Sequence, residues 1–206
     1  MVQQSNELLD KVTELFWAKG FQATSMRDVQ HALNMRPGSL YARFPGKSAL
    51  FVQVMEHYAG QLKAHLLTIA QASDLIEATR MFFTQELLRA PDKRYQRQCL
   101  LINAMAERSK LDDNAAVALD AALNDVEDGF RHLISALQHH HFVTQTVPAK
   151  IVAKWLQTQF IALRHTAYRS ADDAGVAYHI DKLLLDLQGQ WPTSHGSSSS
   201  PAELPD

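Results

Sequence analysis

Between Ser25 and Lys47 the chain reads SMRDVQHALNMRPGSLYARFPGK, which fits two short helices joined by a tight turn and little else. Ser25 is placed to cap the first helix, and Asp28, three residues on, completes a capping box. Val29, Ala32 and Leu33 then fall on one face at helical spacing. Asn34 tolerates the left-handed conformation in which helices stop. Met35 follows as an apolar plug, and Pro37 stands where a second helix would start, its fixed φ suiting a first turn. Leu40 and Phe44 lie four apart and face inward, leaving Arg36, Ser39, Tyr41 and Arg43 to point elsewhere. A polar, basic second helix of this kind is suited to the major groove of DNA.

The charge pattern agrees with that geometry. The whole chain carries a formal net charge of −2, yet Lys19, Arg27, Arg36, Arg43 and Lys47 face only one acid, Asp28, between positions 19 and 47. A local basic patch serves phosphate binding because each neutralised phosphate releases counterions. With 206 residues, 46% of them hydrophobic and 20% charged, the chain has ample material for a core. Glycine and proline are few and no alternating apolar run stands out, so the expected class is all-α. Glu7, Asp10, Lys11 and Glu14 are foreign to a signal peptide, and no apolar run approaches a membrane span. The single cysteine, Cys99, precludes an intrachain disulfide and fits a reducing, cytoplasmic setting.

LFWAKGFQATSMRDV followed by LNMRPGSLYARFPGKSAL resembles the N-terminal domain of the TetR family of transcriptional regulators. The resemblance rests on Leu15-Phe16, Gly20-Phe21, Thr24-Ser25, Arg27, Gly38, Leu40-Tyr41, Phe44, Lys47 and Ala49-Leu50. Three positions depart from the family pattern: Arg36 replaces a small capping residue, Arg43 a common histidine, and Gly46 a serine cap. The first two are expected to change which operator is read. The resemblance implies a helix-turn-helix DNA-binding domain over residues 1–46, a connector helix from 47, a ligand-binding and dimerisation domain over 47–188, and about nine helices in all. It also implies a double-stranded DNA operator, a small-molecule effector and a homodimer, with no membrane partner and no cofactor. Carried over position by position, Ser25, Arg27 and Lys47 are expected on phosphate. Arg36 is expected to read a base, because arginine suits guanine O6 and N7. Pro37, Gly38 and Ser39 would admit close backbone approach, and Tyr41 and Arg43 would reach phosphate or base edges.

The remaining chain reads as helices. The first runs over about 6–19, with Leu8, Val12, Leu15 and Phe16 as its stripe, Trp17 beside them and Gly20 as its stop. The fourth starts near Lys47 and continues past Gly60 towards Ile69. The fifth opens at Ser73 or Asp74 and ends before Pro91. An apolar helix is expected within 95–109, and a seventh over about 115–138 with Leu119, Leu123, Val126, Phe130, Leu133 and Leu137 as its seam. The eighth starts at 146–148 and runs to about Arg169. It is apolar on more than one side, through Ile151, Val152, Trp155, Leu156, Phe160, Ile161 and Leu163, and so needs two neighbours. The ninth covers about 172–188. The resemblance implies that helices eight and nine pair with their counterparts across a two-fold axis. From Gly189 to Asp206 the composition collapses into an expected disordered tail.

Two recognition helices must stand about 34–36 Å apart to enter successive major grooves. A ligand among helices five to eight would alter that spacing if it binds the DNA-incompetent state better. Phe82, Phe83, Tyr95, Cys99, Met105, Phe130, Trp155 and Gln159 are the candidate lining, and ordinary core packing is the alternative for each. Cys99 carries a second possibility, a thiol sensor for oxidants or electrophiles, with Lys93, Arg94 and Arg97 close in sequence to stabilise a thiolate; a buried inert thiol is the alternative. His139, His140 and His141 diverge on a helix and cannot all face one ion, so no metal site is expected. Glu107, Asp112 and Asp113 are expected to be solvated. No phosphate-binding loop, dinucleotide fingerprint, nucleophile elbow or HExxH is present, so no catalytic residue is assigned. The leading reading is a ligand-released repressor. The alternative from another class is an all-α small-molecule-binding or enzymatic module without DNA affinity.

Overall fold

The computed structural model describes residues 2–88, 91–170 and 172–192. Among them are nine α-helices and no strand. These are α1 (Val2–Ala23), α2 (Met26–Leu33), α3 (Pro37–Arg43), α4 (Lys47–Ile69), α5 (Leu75–Leu87), α6 (Leu100–Ala106), α7 (Asp113–His139), α8 (Ala149–Arg169) and α9 (Asp173–Gln188). Two 3-10 stretches, Pro91–Arg97 and Arg108–Lys110, flank α6.

Local chemistry sets the first three helices. The Ser25 hydroxyl accepts the Asp28 amide while the Asp28 carboxylate accepts the Ser25 amide, a complete capping box. Asn34 ends α2 in the left-handed region at φ 50°, and Pro37 opens α3 at its first position. Val29, Leu33, Leu40 and Phe44 are buried, whereas Ala32, expected beside them, is exposed. Their core is completed from α1 and α4: the Phe16, Phe21 and Phe51 rings lie 4.9–6.1 Å apart, two of the three contacts edge-on. α1 is broken at Gly20, whose φ of 82° and ψ of 169° suit glycine alone.

The long helices α4 and α7 form the spine of the rest. Gly129 on α7 allows the close approach: a Cβ there would stand 2.9 Å from Leu66 Cδ1 and 3.3 Å from the Lys63 Cα. Lys63 reinforces the contact by pairing with Asp125 and Asp128 at 2.8 and 3.1 Å. The centre is an aromatic cluster of Phe82, Phe83, Phe130 and Phe160, with neighbouring centroids 5.4–6.2 Å apart. α9 packs on α5 and α8, and Arg80 pairs with Asp181 across α5 and α9.

Three expectations need correction. The apolar helix expected within 95–109 is only α6, seven residues long. The carbonyls of Gln96 and Gln98 accept from the buried Arg164 guanidinium at 2.5 and 2.9 Å, so helical pairing begins only after them. The acids Glu107 and Asp112 are not merely solvated. Glu107 accepts the Phe21 amide at 2.6 Å, and Asp112 caps α7 through the Ala115 amide at 2.9 Å. Finally, order persists beyond Gly189: the Trp191 ring meets Trp155 edge-on at 5.1 Å and its Nε1 donates to the Leu187 carbonyl. The rest of the expected tail, 193–206, lies outside the described residues.

Candidate nucleic-acid interface

α3 buries Leu40 and turns Arg36, Pro37, Gly38, Ser39, Tyr41 and Arg43 to solvent, with Tyr41 53% exposed. Tyr41 is therefore not a packing residue. Gly38 has no atom within 4 Å of where a Cβ would sit. Nothing inside the protein requires glycine there, and the open backbone is accessible to a body approaching from outside. Arg27 is exposed on α2.

Other members of the expected patch are engaged elsewhere. Lys19 pairs with Asp28 at 2.7 Å, and this contact together with the Ser25 cap holds the Asp28 carboxyl well below its ordinary range. Ser25 spends its hydroxyl and its amide on Asp28. Lys47 is half-buried: its ammonium donates to the Phe21 carbonyl at 2.9 Å and lies 4.3 Å from the centroid of the Phe21 ring. It ties α4 to the end of α1, a structural duty beside any phosphate contact. Arg27, Arg36 and Arg43 are exposed, Arg43 with its guanidinium 5.5 Å from the Phe44 ring centroid.

The eight residues expected around a ligand do not share one cavity. Phe82, Phe83 and Phe130 are at most 1% exposed and fill the core with one another and Phe160. Met105 is 40% exposed, and Trp155 lines an outer groove with Trp191. Tyr95 and Gln159 are half-buried, and Cys99 borders a surface pocket of about 50 Å3. Aromatics at helical spacing here pack against each other. A cavity of about 410 Å3 lies instead between α1, α4, α5 and the first 3-10 stretch, lined by Asp10, Glu14, Trp17, Tyr58, His65 and Glu86 among others. None of the eight lines it.

The profile of the family described as bacterial regulatory proteins, tetR family, matches residues 8–54, which contain α2, α3 and most of α1. Residues 8–54 thus form a DNA-binding domain of the TetR type. An uncharacterized HTH-type transcriptional regulator, YezE of Bacillus subtilis, is 24% identical over 182 residues, covering 87% of this chain and 94% of its own length. The HTH-type transcriptional repressor ComR of Escherichia coli is 39% identical over 56 residues, 27% of each chain. Among solved structures, a TetR-family regulator from Agrobacterium tumefaciens superposes with a TM-score of 0.74 at 18% identity, covering 89% of this chain and 98% of its own. The reduced form of NemR from E. coli gives a TM-score of 0.71 at 18% identity, covering 85% and 92%. The chain thus carries a TetR-type helix-turn-helix at residues 8–54 and shares its overall fold with solved TetR-family regulators.

The residues joining the helix-turn-helix to the body were missed from sequence. Arg164 is fully buried, bonds Glu86 at 2.8 Å and reaches the Gln96 and Gln98 carbonyls. The Trp17 Nε1 donates to the same Gln98 carbonyl at 3.0 Å. The available signal was spacing: Leu156, Phe160, Arg164 and Ala167 share one buried stripe of α8. Among the described residues no cluster of potential metal ligands forms, and no helix is long and apolar enough to cross a membrane.

Proposed function

We propose that this TetR-family regulator acts as a homodimeric repressor in the cytoplasm, binding a palindromic operator through residues 1–46 and released by a small molecule held within residues 47–188. The observation carrying the DNA-reading assignment is the solvent-facing row on α3, Arg36 to Ser39 with Tyr41 and Arg43, over a buried Leu40 and Phe44. Arg36 reads a guanine, Arg27 and Arg43 hold phosphate, and Lys47 contributes chiefly by fixing the head. Ser25 contributes only if its cap to Asp28 opens. The outward faces of α8 and α9 support the dimer. Ile151, Tyr178 and Leu185 are 56, 71 and 67% exposed there, an apolar surface suited to a second copy.

Selection of palindromic duplexes followed by anisotropy titrations tests the reading. Arg36→Ala is expected to relax discrimination at one base pair by about 1–3 kcal/mol. Tyr178→Asp with Leu185→Asp is expected to yield monomers that no longer bind the palindrome. A salt-independent signal, or no selected sequence at modest ionic strength, would favour the module without DNA affinity.

A second reading assigns the response to Cys99. The thiol is half-buried at the start of α6, beside its small surface pocket. Of the cations expected to stabilise a thiolate, Arg97 is paired with Asp173 at 2.8 Å and Arg94 with the Tyr168 carbonyl at 3.0 Å, while the Lys93 side chain lies outside the described residues. Mass spectrometry after brief N-ethylmaleimide treatment decides it: an unmodified Cys99 in the native protein removes this reading.

A further inference from the structure

The connector between α6 and α7, residues 107–112, holds the helix-turn-helix at both of its ends. At the α1 end, Glu107 accepts the Phe21 amide at 2.6 Å and the Gln22 amide at 3.4 Å, and the Lys110 carbonyl accepts Gln22 Nε2 at 3.3 Å. At the other end the Ser48 hydroxyl, in the first turn of α4, donates to the Asp112 carboxylate. That bond, followed by the one from the Ala115 amide, holds the Asp112 carboxyl below its ordinary range, so it remains an acceptor at neutral pH. In sequence α2 and α3 lie between Gln22 and Ser48. Lys47 closes the ring, its ammonium donating to the Phe21 carbonyl at 2.9 Å.

The connector is itself anchored to the body. Its 3-10 turn is closed by the Lys110 and Leu111 amides on the Glu107 and Arg108 carbonyls at 2.8 and 3.1 Å, and Arg108 pairs with Asp120 on α7. Asp112 also caps α7 through the Ala115 amide at 2.9 Å. α4 gives less help at this end. It ascends alongside α7, from Ser48 beside Asp112 to Leu66 against Gly129, and is clasped to it at the far end, where Lys63 meets Asp125 and Asp128. Between the two N-terminal ends lies an open groove of about 730 Å3, lined by Ala49, Val52, Val117 and Ala121 among others. Packing across that groove is incomplete, so the angle of the head to the body depends on the hydrogen bonds of the connector.

We propose that the connector is a brace that sets the half-site spacing the regulator accepts, with Glu107 and Asp112 as its positioning residues. This rests on the palindrome-reading dimer proposed above. One added base pair displaces a half-site by about 3.4 Å and turns it by about 35° around the duplex. A head gripped at both ends of its helix-turn-helix cannot follow without breaking a contact, whereas a head gripped at one end swings to meet the DNA. A strained complex can always break the Ser48–Asp112 bond, so that bond contributes no more to discrimination than it is worth, about three- to tenfold per subunit.

Anisotropy titrations of the full-length parent, Ser48→Ala and Ser48→Thr test the brace. The duplexes are the selected palindrome, the same palindrome lengthened by one base pair between its half-sites, and a single half-site. Ser48→Ala removes the donor and leaves the Asp112 cap on α7. It is expected to lower the preference for the correct spacing about three- to tenfold per subunit, while half-site affinity changes by less than about twofold. Ser48→Thr keeps the hydroxyl and is expected to keep the preference of the parent. Glu107→Ala, which opens the α1 end instead, is expected to act in the same direction as Ser48→Ala. An unaltered preference in Ser48→Ala, or a half-site affinity that falls as far as that for the palindrome, overturns the brace. If the parent selects no palindrome, the operator reading falls, and the brace is decided without DNA. Spin labels on the exposed positions His31→Cys of α2 and Asn124→Cys of α7, in a Cys99→Ser background, then give the head-to-body distance. A wider distribution in Ser48→Ala than in the parent keeps the brace, and equal widths overturn it.

Discussion

Removing the Glu107 side chain probes the attachment of the DNA-binding head to the body. At Gly20 α1 breaks, and the amides of Phe21 and Gln22 lose their helical partners. Glu107, 86 residues further along, accepts the Phe21 amide at 2.6 Å and approaches the Gln22 amide at 3.4 Å. It acts as an N-cap delivered from the end of α6. A cap is worth about 1 kcal/mol and a hydrogen bond to a charged group about 1.5–3 kcal/mol. Because Glu107 is half-buried, solvent screens part of this, and Glu107→Ala is expected to destabilise by about 1–2 kcal/mol. In a chain of this size that lowers the unfolding temperature by about 2–8 °C. Glu107→Gln retains a neutral acceptor and should lose about half as much.

Gly20 supplies the internal control. A Cβ at this position meets Glu107 Oε1, Oε2 and Cδ at 3.0, 3.2 and 3.3 Å, and the backbone lies at φ 82°. Gly20→Ala is therefore expected to lose about 1–3 kcal/mol in backbone strain and also to push the carboxylate off its amides. The two variants combined should then lose less than the sum of the singles, by about 0.5 kcal/mol or more. Urea denaturation of the four proteins measures this. Additivity within about 0.3 kcal/mol, or a Glu107→Ala variant as stable as the parent, would refute the cap.

Three further outcomes follow from single contacts. Asp28, held ionised by Lys19 and the Ser25 cap, stabilises α2 throughout the neutral range. Because its folded pKa is depressed, that stabilisation is complete above the ordinary carboxylate value and is lost only as pH falls through the lower folded value. Its carboxyl carbon resonance should not titrate between about pH 5 and 3, and a midpoint near 4 would contradict the geometry. Arg164→Met leaves the buried Glu86 without its guanidinium and is expected to cost about 3–5 kcal/mol in urea denaturation, with partial recovery on adding Glu86→Met; a loss below about 1 kcal/mol would contradict it. Gly38→Ala should leave stability unchanged or raise it by up to about 1 kcal/mol while weakening operator binding, and undiminished affinity would mean that no DNA approaches that backbone.

The helix-turn-helix was legible in sequence because its determinants are local. The Ser25–Asp28 box spans three residues, Asn34 and Pro37 mark their own backbone positions, and Leu40 and Phe44 announce a buried face by spacing alone. The exposed row on α3 followed as its complement. The ligand lining was not legible, since Phe82 and Phe130 carry the same periodicity whether they border a cavity or fill a core, and here they fill it. Glu107 and Arg164 escaped for another reason. Their partners lie 86 residues away for Glu107 and 66–78 away for Arg164, and a charged residue in a helix ordinarily reads as solvated. Lys47 is expected on phosphate through the family resemblance, and a motif match does not disclose that its ammonium also serves the Phe21 carbonyl.

These long-range contacts converge on one short segment. Trp17 bonds the Gln98 carbonyl, Glu107 the Phe21 amide, Gln22 Nε2 the Lys110 carbonyl at 3.3 Å, and Lys47 the Phe21 carbonyl. All four bear on α1 between Trp17 and Gln22. α3 is instead fixed to the head by Leu40 and Phe44, buried in the same aromatic core that α1 and α4 complete. The guanidinium of Arg164 on α8 holds the Gln98 carbonyl that Trp17 also uses, so body, 3-10 stretch and α1 form a contiguous chain of hydrogen bonds. A shift of α8 therefore pulls first on α1, and the recognition helix follows as part of a packed unit. If the body responds to a ligand as proposed, Trp17→Phe, which keeps the ring but removes the donor, should weaken the coupling between ligand and operator while leaving each binding event alone intact. Equal coupling in Trp17→Phe and the parent, measured by operator titrations with and without ligand, would place the transmission through α4 instead.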